Sequence, residues 1–96
     1  METAIHPDYL WDFIVENDLT HVLYEAILHI KDIFGKDTKI SLEIDTFNLE
    51  YIKLYLWIHS SLSAEESMKL QDRLDAWWIP NLHRGNGKLN IAIRYV

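Results

Sequence analysis

Cysteine is absent from this 96-residue chain, which removes disulfides, thiolate nucleophiles and cysteine-based zinc sites together. Only 3 glycines and 2 prolines occur. That leaves little room for linkers, so one domain spanning residues 1–96 is expected. No apolar run approaches the roughly 20 residues needed to span a bilayer, and neither an internal repeat nor a low-complexity tract interrupts the chain. The opening METAIHPDYLWDF has no basic region followed by a cleavage-like site, so a secretory leader is not expected. Together with the missing thiols, this points to a reducing, cytoplasmic setting. Positive charge is also scarce: 9 bases face 15 acids, for a formal net charge of -6. Such a balance repels nucleic acid and anionic membranes at long range, and it suits a basic protein partner.

Apolar material is plentiful. Hydrophobic residues make up 49% and aromatics 12% of the sequence, enough for a core and too rich for disorder. His6-Pro7-Asp8 reads as a helix start, with proline tolerated in the first turn, and residues 8–16 are apolar almost all round. A second helix is predicted over residues 18–34, capped by Asn17 or Asp18 and closed by Gly35. Its apolar stripe runs through Leu19, Val22, Leu23, Ala26, Ile27, Ile30, Ile33 and Phe34.

Residues 39–45 alternate, with Ile40, Leu42 and Ile44 inward and Lys39, Ser41, Glu43 and Asp45 outward. A short connection at 46–49 leads to a second strand, predicted over residues 50–60, and the pair reads as an antiparallel hairpin. Ser63-Ala64-Glu65-Glu66 is a capping box. The helix after it places Ser67, Leu70, Gln71, Leu74, Trp77 and Trp78 on one face and stops near Ile79, before Pro80. His83–Gly87 reads as a turn in which Gly85 and Gly87 supply positive φ. Residues 88–96 alternate again, with Leu89, Ile91, Ile93 and Tyr95 on one side.

The expected class is therefore α+β, in the order α-α-β-β-α-β, with a three-stranded mixed sheet and helices mainly on one face. A right-handed crossover makes the last strand parallel to the second. Two strand orders satisfy the connections. Either the first strand is central, giving half of a ferredoxin-like split unit, or the last strand lies beside the second.

The second strand carries the functional clue. Ile52, Leu54, Leu56 and Ile58 point one way, while Tyr51, Lys53, Tyr55, Trp57 and His59 point the other. A half-solvated antiparallel strand alternates apolar with polar, yet here the face that ought to be wet carries three aromatics. Neighbouring strands add Lys39, Ser41, Glu43 and Asp45 on one flank and Lys88, Asn90, Ala92 and Arg94 on the other. Three covers are open. A second copy or another protein docks there, since Tyr and Trp are enriched in interface cores. Residues 8–15 fold across the face within the chain. Or single-stranded bases stack on the aromatics, with Lys53, Lys88 and Arg94 at phosphates. Glu43 and Asp45 on the same face argue against the last.

Other groupings point to solvated or structural roles. His21, Glu25 and His29 recur every four residues, a spacing that suits neighbouring metal ligands, but no fourth ligand can be named. His59 and Ser60, adjacent on a strand, point to opposite faces and cannot act as base and nucleophile. Glu65, Glu66, Asp72 and Asp75 alternate with Lys69 and Arg73 as an exposed charged face. Arg84-Gly85-Asn86-Gly87-Lys88 resembles an anion nest, yet it feeds a strand where a phosphate loop feeds a helix. Of Trp77 and Trp78, about 100° apart on a helix, one can fill the core while the other reaches the boundary.

These residues lead to a non-catalytic protein-interaction module with no cofactor and no metal. It is expected to dimerise through a surface comprising Tyr51, Lys53, Tyr55, Trp57, His59 and Trp78. Its most concrete version is a small acidic protein that neutralises a partner.

Overall fold

Apolar periodicity sets the helices, and local hydrogen bonds set their ends. The computed structural model describes residues 7–46 and 50–95. His6, the 47–49 stretch of the hairpin connection and Val96 fall outside them. The first helix, α1 (Pro7–Glu16), ends in a motif that the sequence reading assigned to the start of the next one. Asp18 takes a left-handed φ of 55°. The Leu19 N–H then bonds the Ile14 carbonyl at 2.9 Å and the Asp18 N–H bonds that of Val15 at 3.1 Å, the paired bonds of a Schellman closure. Leu19 and Ile14, the apolar pair that accompanies such a closure, are both fully buried. Asn17 helps by donating its side-chain amide to the Phe13 carbonyl at 2.9 Å. Asn17 and Asp18 therefore close α1, and α2 (Thr20–Phe34) is capped by Leu19 without a side-chain hydrogen bond.

α2 stops at Gly35, whose N–H reaches the Lys31 carbonyl. The first strand, β1 (Lys39–Asp45), pairs antiparallel with β2 (Lys53–Ser60), Lys39 opposite His59 and Asp45 opposite Lys53. β2 begins three residues later than predicted, so Tyr51 precedes the strand. α3 (Ala64–Trp78) starts at the predicted cap, with Ser63 Oγ accepting from the Glu66 N–H at 3.1 Å. Pro80 ends the α-helix as expected, but the chain continues as a 3-10 segment, Ile79–Gly85, before turning into β3 (Leu89–Tyr95). The expected turn at His83–Gly87 is thus half 3-10 helix.

The sheet order is β1-β2-β3, with β2 and β3 parallel and adjacent. β2 is central, and the crossover through α3 is unsplit. The physical reason is burial. The central strand loses most solvent, and β2 is the strand with apolar residues on both faces. Leu54, Leu56 and Ile58 are fully buried, while Ile40 and Leu42 of β1 and Ile91 and Ile93 of β3 only flank the core. Against them pack Phe13 and Ile14 of α1, Val22, Leu23, Ala26 and Ile30 of α2, and Leu74 and Trp78 of α3. No helix among the described residues is long and apolar enough to cross a membrane.

Candidate interaction surface

On β2, Lys53, Tyr55, Trp57 and His59 face away from the aliphatic core and are half-buried. Their ring contacts follow from pleat and register. Tyr55 and Trp57, two residues apart, share a face and stack at 5.6 Å between centroids with planes 13° apart. Ala92 of β3 lies beside Trp57 and Arg94 beside His59. The small Ala92 leaves room, and Arg94 reaches diagonally so that its guanidinium carbon sits 4.3 Å from the centre of the Trp57 ring. On the other flank, the Trp57 indole N–H donates to Glu43 Oε1 at 2.9 Å. The same carboxylate oxygen lies 4.0 Å from Arg94 Nη2. His59 Nε2 and Ser41 Oγ are 2.8 Å apart. The aromatic ledge is thus held in place by one residue from each neighbouring strand.

A shallow cleft of about 540 Å³ opens beside the ledge, lined by Glu43, Ile44, Asp45, Thr46, Tyr55 and Trp57. No α1 residue lines it. Phe13 and Ile14 instead enter the core on the aliphatic side, while Tyr9, Trp11 and Val15 are exposed. The prospect that residues 8–15 cover the aromatic face is therefore overturned. Helix α1 is amphipathic, and its buried side belongs with the helices.

Two of the six surface residues inferred from sequence lie elsewhere. Tyr51 is 64% exposed ahead of β2, beyond the paired register. Trp78 is only 7% exposed. It points into the core because the α3 face that buries Ser67 and Leu74 also carries position 78, one turn on from Leu74. Its neighbour Trp77 takes the boundary position and stacks on His29, 4.4 Å between ring centres. Conversely, Arg94, Glu43 and Ser41 belong with the ledge. Strand alternation already put them on this face, but their contacts with Trp57 and His59 needed the register.

The remaining groupings resolve into structural contacts. Glu25 receives two hydrogen bonds from Arg84, at 2.5 and 3.1 Å. The bonding guanidinium holds the Glu25 carboxyl below its ordinary value despite some desolvation, with smaller pulls from the charges of Arg84, His29 and His21. Among the described residues no three His, Asp or Glu side chains gather as metal ligands. Ser60 turns inward to share a hydrogen bond with Ser67 at 2.8 Å, so it diverges from His59 as strand geometry requires. Gly87 has the expected positive φ of 70°, and Asn86 joins it at 54°. Gly85 does not. Its role is space, because a Cβ there would lie 3.3 Å from both the Trp78 ring and Leu89 Cβ.

Comparison with protein-family models, with curated proteins and with solved structures finds no match for this chain.

Proposed function

We propose that this chain is a non-catalytic protein-interaction module that associates with a second copy of itself through the aromatic face of the sheet. The observation that carries this reading is the contact cluster of Tyr55, Trp57 and Arg94 on the side of the sheet opposite α1, α2 and α3. Tyr, Trp and Arg are the residue types most enriched at binding hot spots. Here they are already ordered by contact with one another, which lowers the entropy lost on docking.

Charge favours a second copy over a strongly basic partner. The chain as a whole carries -6, yet this face sets Lys39, Lys53 and Arg94 against Glu43 and Asp45. The acidic excess lies elsewhere, and a mixed face can be self-complementary across a twofold axis. Nucleic acid is the weaker candidate, since Glu43 stands at the indole edge of Trp57 where a phosphate would need to approach. The absence of cysteine supports a reducing, cytoplasmic compartment.

Size sets the strength. Three strands of seven, eight and seven residues span about 14 by 23 Å, well below the roughly 800 Å² per partner of a standard interface. A footprint of that size is in the range of weak, transient association. Light scattering across tens to hundreds of micromolar should show mass rising above the monomer, and Tyr55→Ala with Trp57→Ala should suppress the rise. A wild type that stays monomeric defeats the reading. Oligonucleotide binding that disappears in the same variant replaces it with the nucleic-acid alternative.

A further inference from the structure

The edge of β1 offers a second surface, separate from the aromatic face. β1 is an outer strand with seven residues in unbroken register against β2. It contains no proline, glycine or bulge, and its inward positions Ile40, Leu42 and Ile44 are all aliphatic. Natural sheet edges are normally guarded by proline, a bulge, charged side chains or an inward-pointing charge, and of these β1 carries only the outward charges of Lys39, Glu43 and Asp45. Ile40 and Leu42 are left partly exposed, in contrast to Leu54, Leu56 and Ile58 beside them. An edge built this way fits another strand.

The sequence of β1 says which strand. Turned antiparallel upon itself about Leu42, KISLEID sets Lys39 opposite Asp45 of the second copy, Ile40 opposite Ile44, Ser41 opposite Glu43 and Leu42 opposite Leu42. Opposite charges meet at both ends, and aliphatic residues meet between them. Other registers lose this match. Centring on Glu43 opposes two glutamates, and centring on Ser41, although it sets Lys39 against Glu43, pairs only five of the seven strand residues and leaves Ile44 and Asp45 facing the turn that precedes β1 in the second copy. Like charges directly opposite are unfavourable and opposite ones favourable. Both copies would keep their aliphatic residues on the same side, because side chains repeat every two residues. The other edge lacks the property: β3 turned on itself about Ala92 sets Arg94 against Asn90 and Leu89 against Tyr95. Pairing β1 with β3 of another copy would leave two edges open and grow without closing.

We infer that β1 is a self-pairing edge: two copies join β1 to β1 across a twofold axis at Leu42, making one six-stranded sheet. The pairing does not require the aromatic face, though it would double that face by placing two ledges side by side.

A disulfide tests the geometry. The chain has no native cysteine, so in Leu42→Cys any covalent dimer forms at that position. Directly opposed Cα atoms in antiparallel strands are about 4.5–5.5 Å apart, within disulfide range. Face-to-face packing of the aromatic sides cannot bring residue 42 to its copy, since it lies on the helix side of the sheet. Mild oxidation should give covalent dimer from Leu42→Cys and little from Ile91→Cys, its counterpart on β3 in the sheet register. Equal cross-linking at both positions, or none at 42 in a folded protein, overturns the proposal.

Charge exchange tests the register. Lys39→Asp and Asp45→Lys should each weaken association roughly tenfold to a hundredfold, because two attractive pairs become repulsive ones. The double exchange should restore it, and an equimolar mixture of the two single variants should form mixed dimers by native mass spectrometry. Failure of both rescue and mixing, with circular dichroism showing folded chains, overturns the register. Loss of association on Tyr55→Ala with Trp57→Ala, while residue 42 does not cross-link, would leave the face reading standing without this one.

Discussion

Arg94 holds its guanidinium carbon 4.3 Å from the centre of the Trp57 ring, and this contact joins β3 to β2 on the side of the sheet opposite α1, α2 and α3. Both side chains are partly solvated, so the pair is an exposed cation–π contact of about 0.5–1 kcal/mol. Glu43 completes it by accepting from the indole. Arg94→Ala should lower folding stability by about that amount, measured as a shift in urea midpoint at constant slope. Arg94→Lys should retain part of the loss. If self-association through this face holds, Arg94→Ala should weaken it more than it weakens folding, because the ledge loses its charged cap.

The buried serine pair makes an asymmetric prediction. Ser60 Oγ meets Ser67 Oγ at 2.8 Å and also accepts the Leu62 N–H at 3.2 Å. Removing Ser67 leaves Ser60 with that second partner. Removing Ser60 strands the buried Ser67 hydroxyl and also takes a partner from the part-buried Leu62 amide. Ser60→Ala should therefore cost about 1–3 kcal/mol, the penalty for unpaired buried groups, and Ser67→Ala should cost less. In a double-mutant cycle the combined loss should fall short of the sum.

Two glycines in one turn should fail for different reasons. Gly85→Ala places a methyl 3.3 Å from Trp78 and Leu89, both buried and obliged to shift by a few tenths of an ångström, so overpacking of about 1–3 kcal/mol is expected. The near-ultraviolet dichroism of the tryptophans should change with it. Gly87 has open space around it but a φ of 70°. Gly87→Ala should cost about 1 kcal/mol for left-handed backbone and leave the tryptophan signal intact. Gly87→Asn should cost less, as Asn86 already adopts that conformation.

Acid should unfasten α2 from the 3-10 segment. The Glu25 carboxyl is held below its ordinary value of 4.5, chiefly by the hydrogen bonds from Arg84. A folded-state value below the unfolded one stabilises the fold above the unfolded value, and that stabilisation fades as pH falls through the folded one. Arg84, pushed upward by the same bond, stays charged throughout. The difference in melting temperature between wild type and Glu25→Gln should be present at about pH 5 and above, where Glu25 is ionised in folded and unfolded chains alike. It should shrink below 4.5. A difference that persists unchanged to pH 3 would remove the ion pair from the account.

What the chain alone determined is local. Periods of 3.6 and 2 residues located α2, α3 and all three strands, because each pattern answers to its own backbone geometry, whereas α1 was signalled by its proline start. The Ser63 cap and the Pro80 stop were equally legible, since each acts within one turn. The order of elements already implied an α+β class with a parallel crossover. Tertiary structure decided whatever depends on non-local neighbours. Asn17 and Asp18 suit a helix start or a helix end, and only the Leu19–Ile14 contact chose the end. Trp77 and Trp78 were interchangeable until Gly85 made space for one ring beneath the strand. Strand order and the fate of α1 turned on which apolar faces met, and that choice left Tyr55 and Trp57 on the face opposite α1, α2 and α3. Periodicity states which face is apolar. Which surface meets it is a matter of three-dimensional packing, and on that packing the ledge at Trp57 and the edge at β1 both depend.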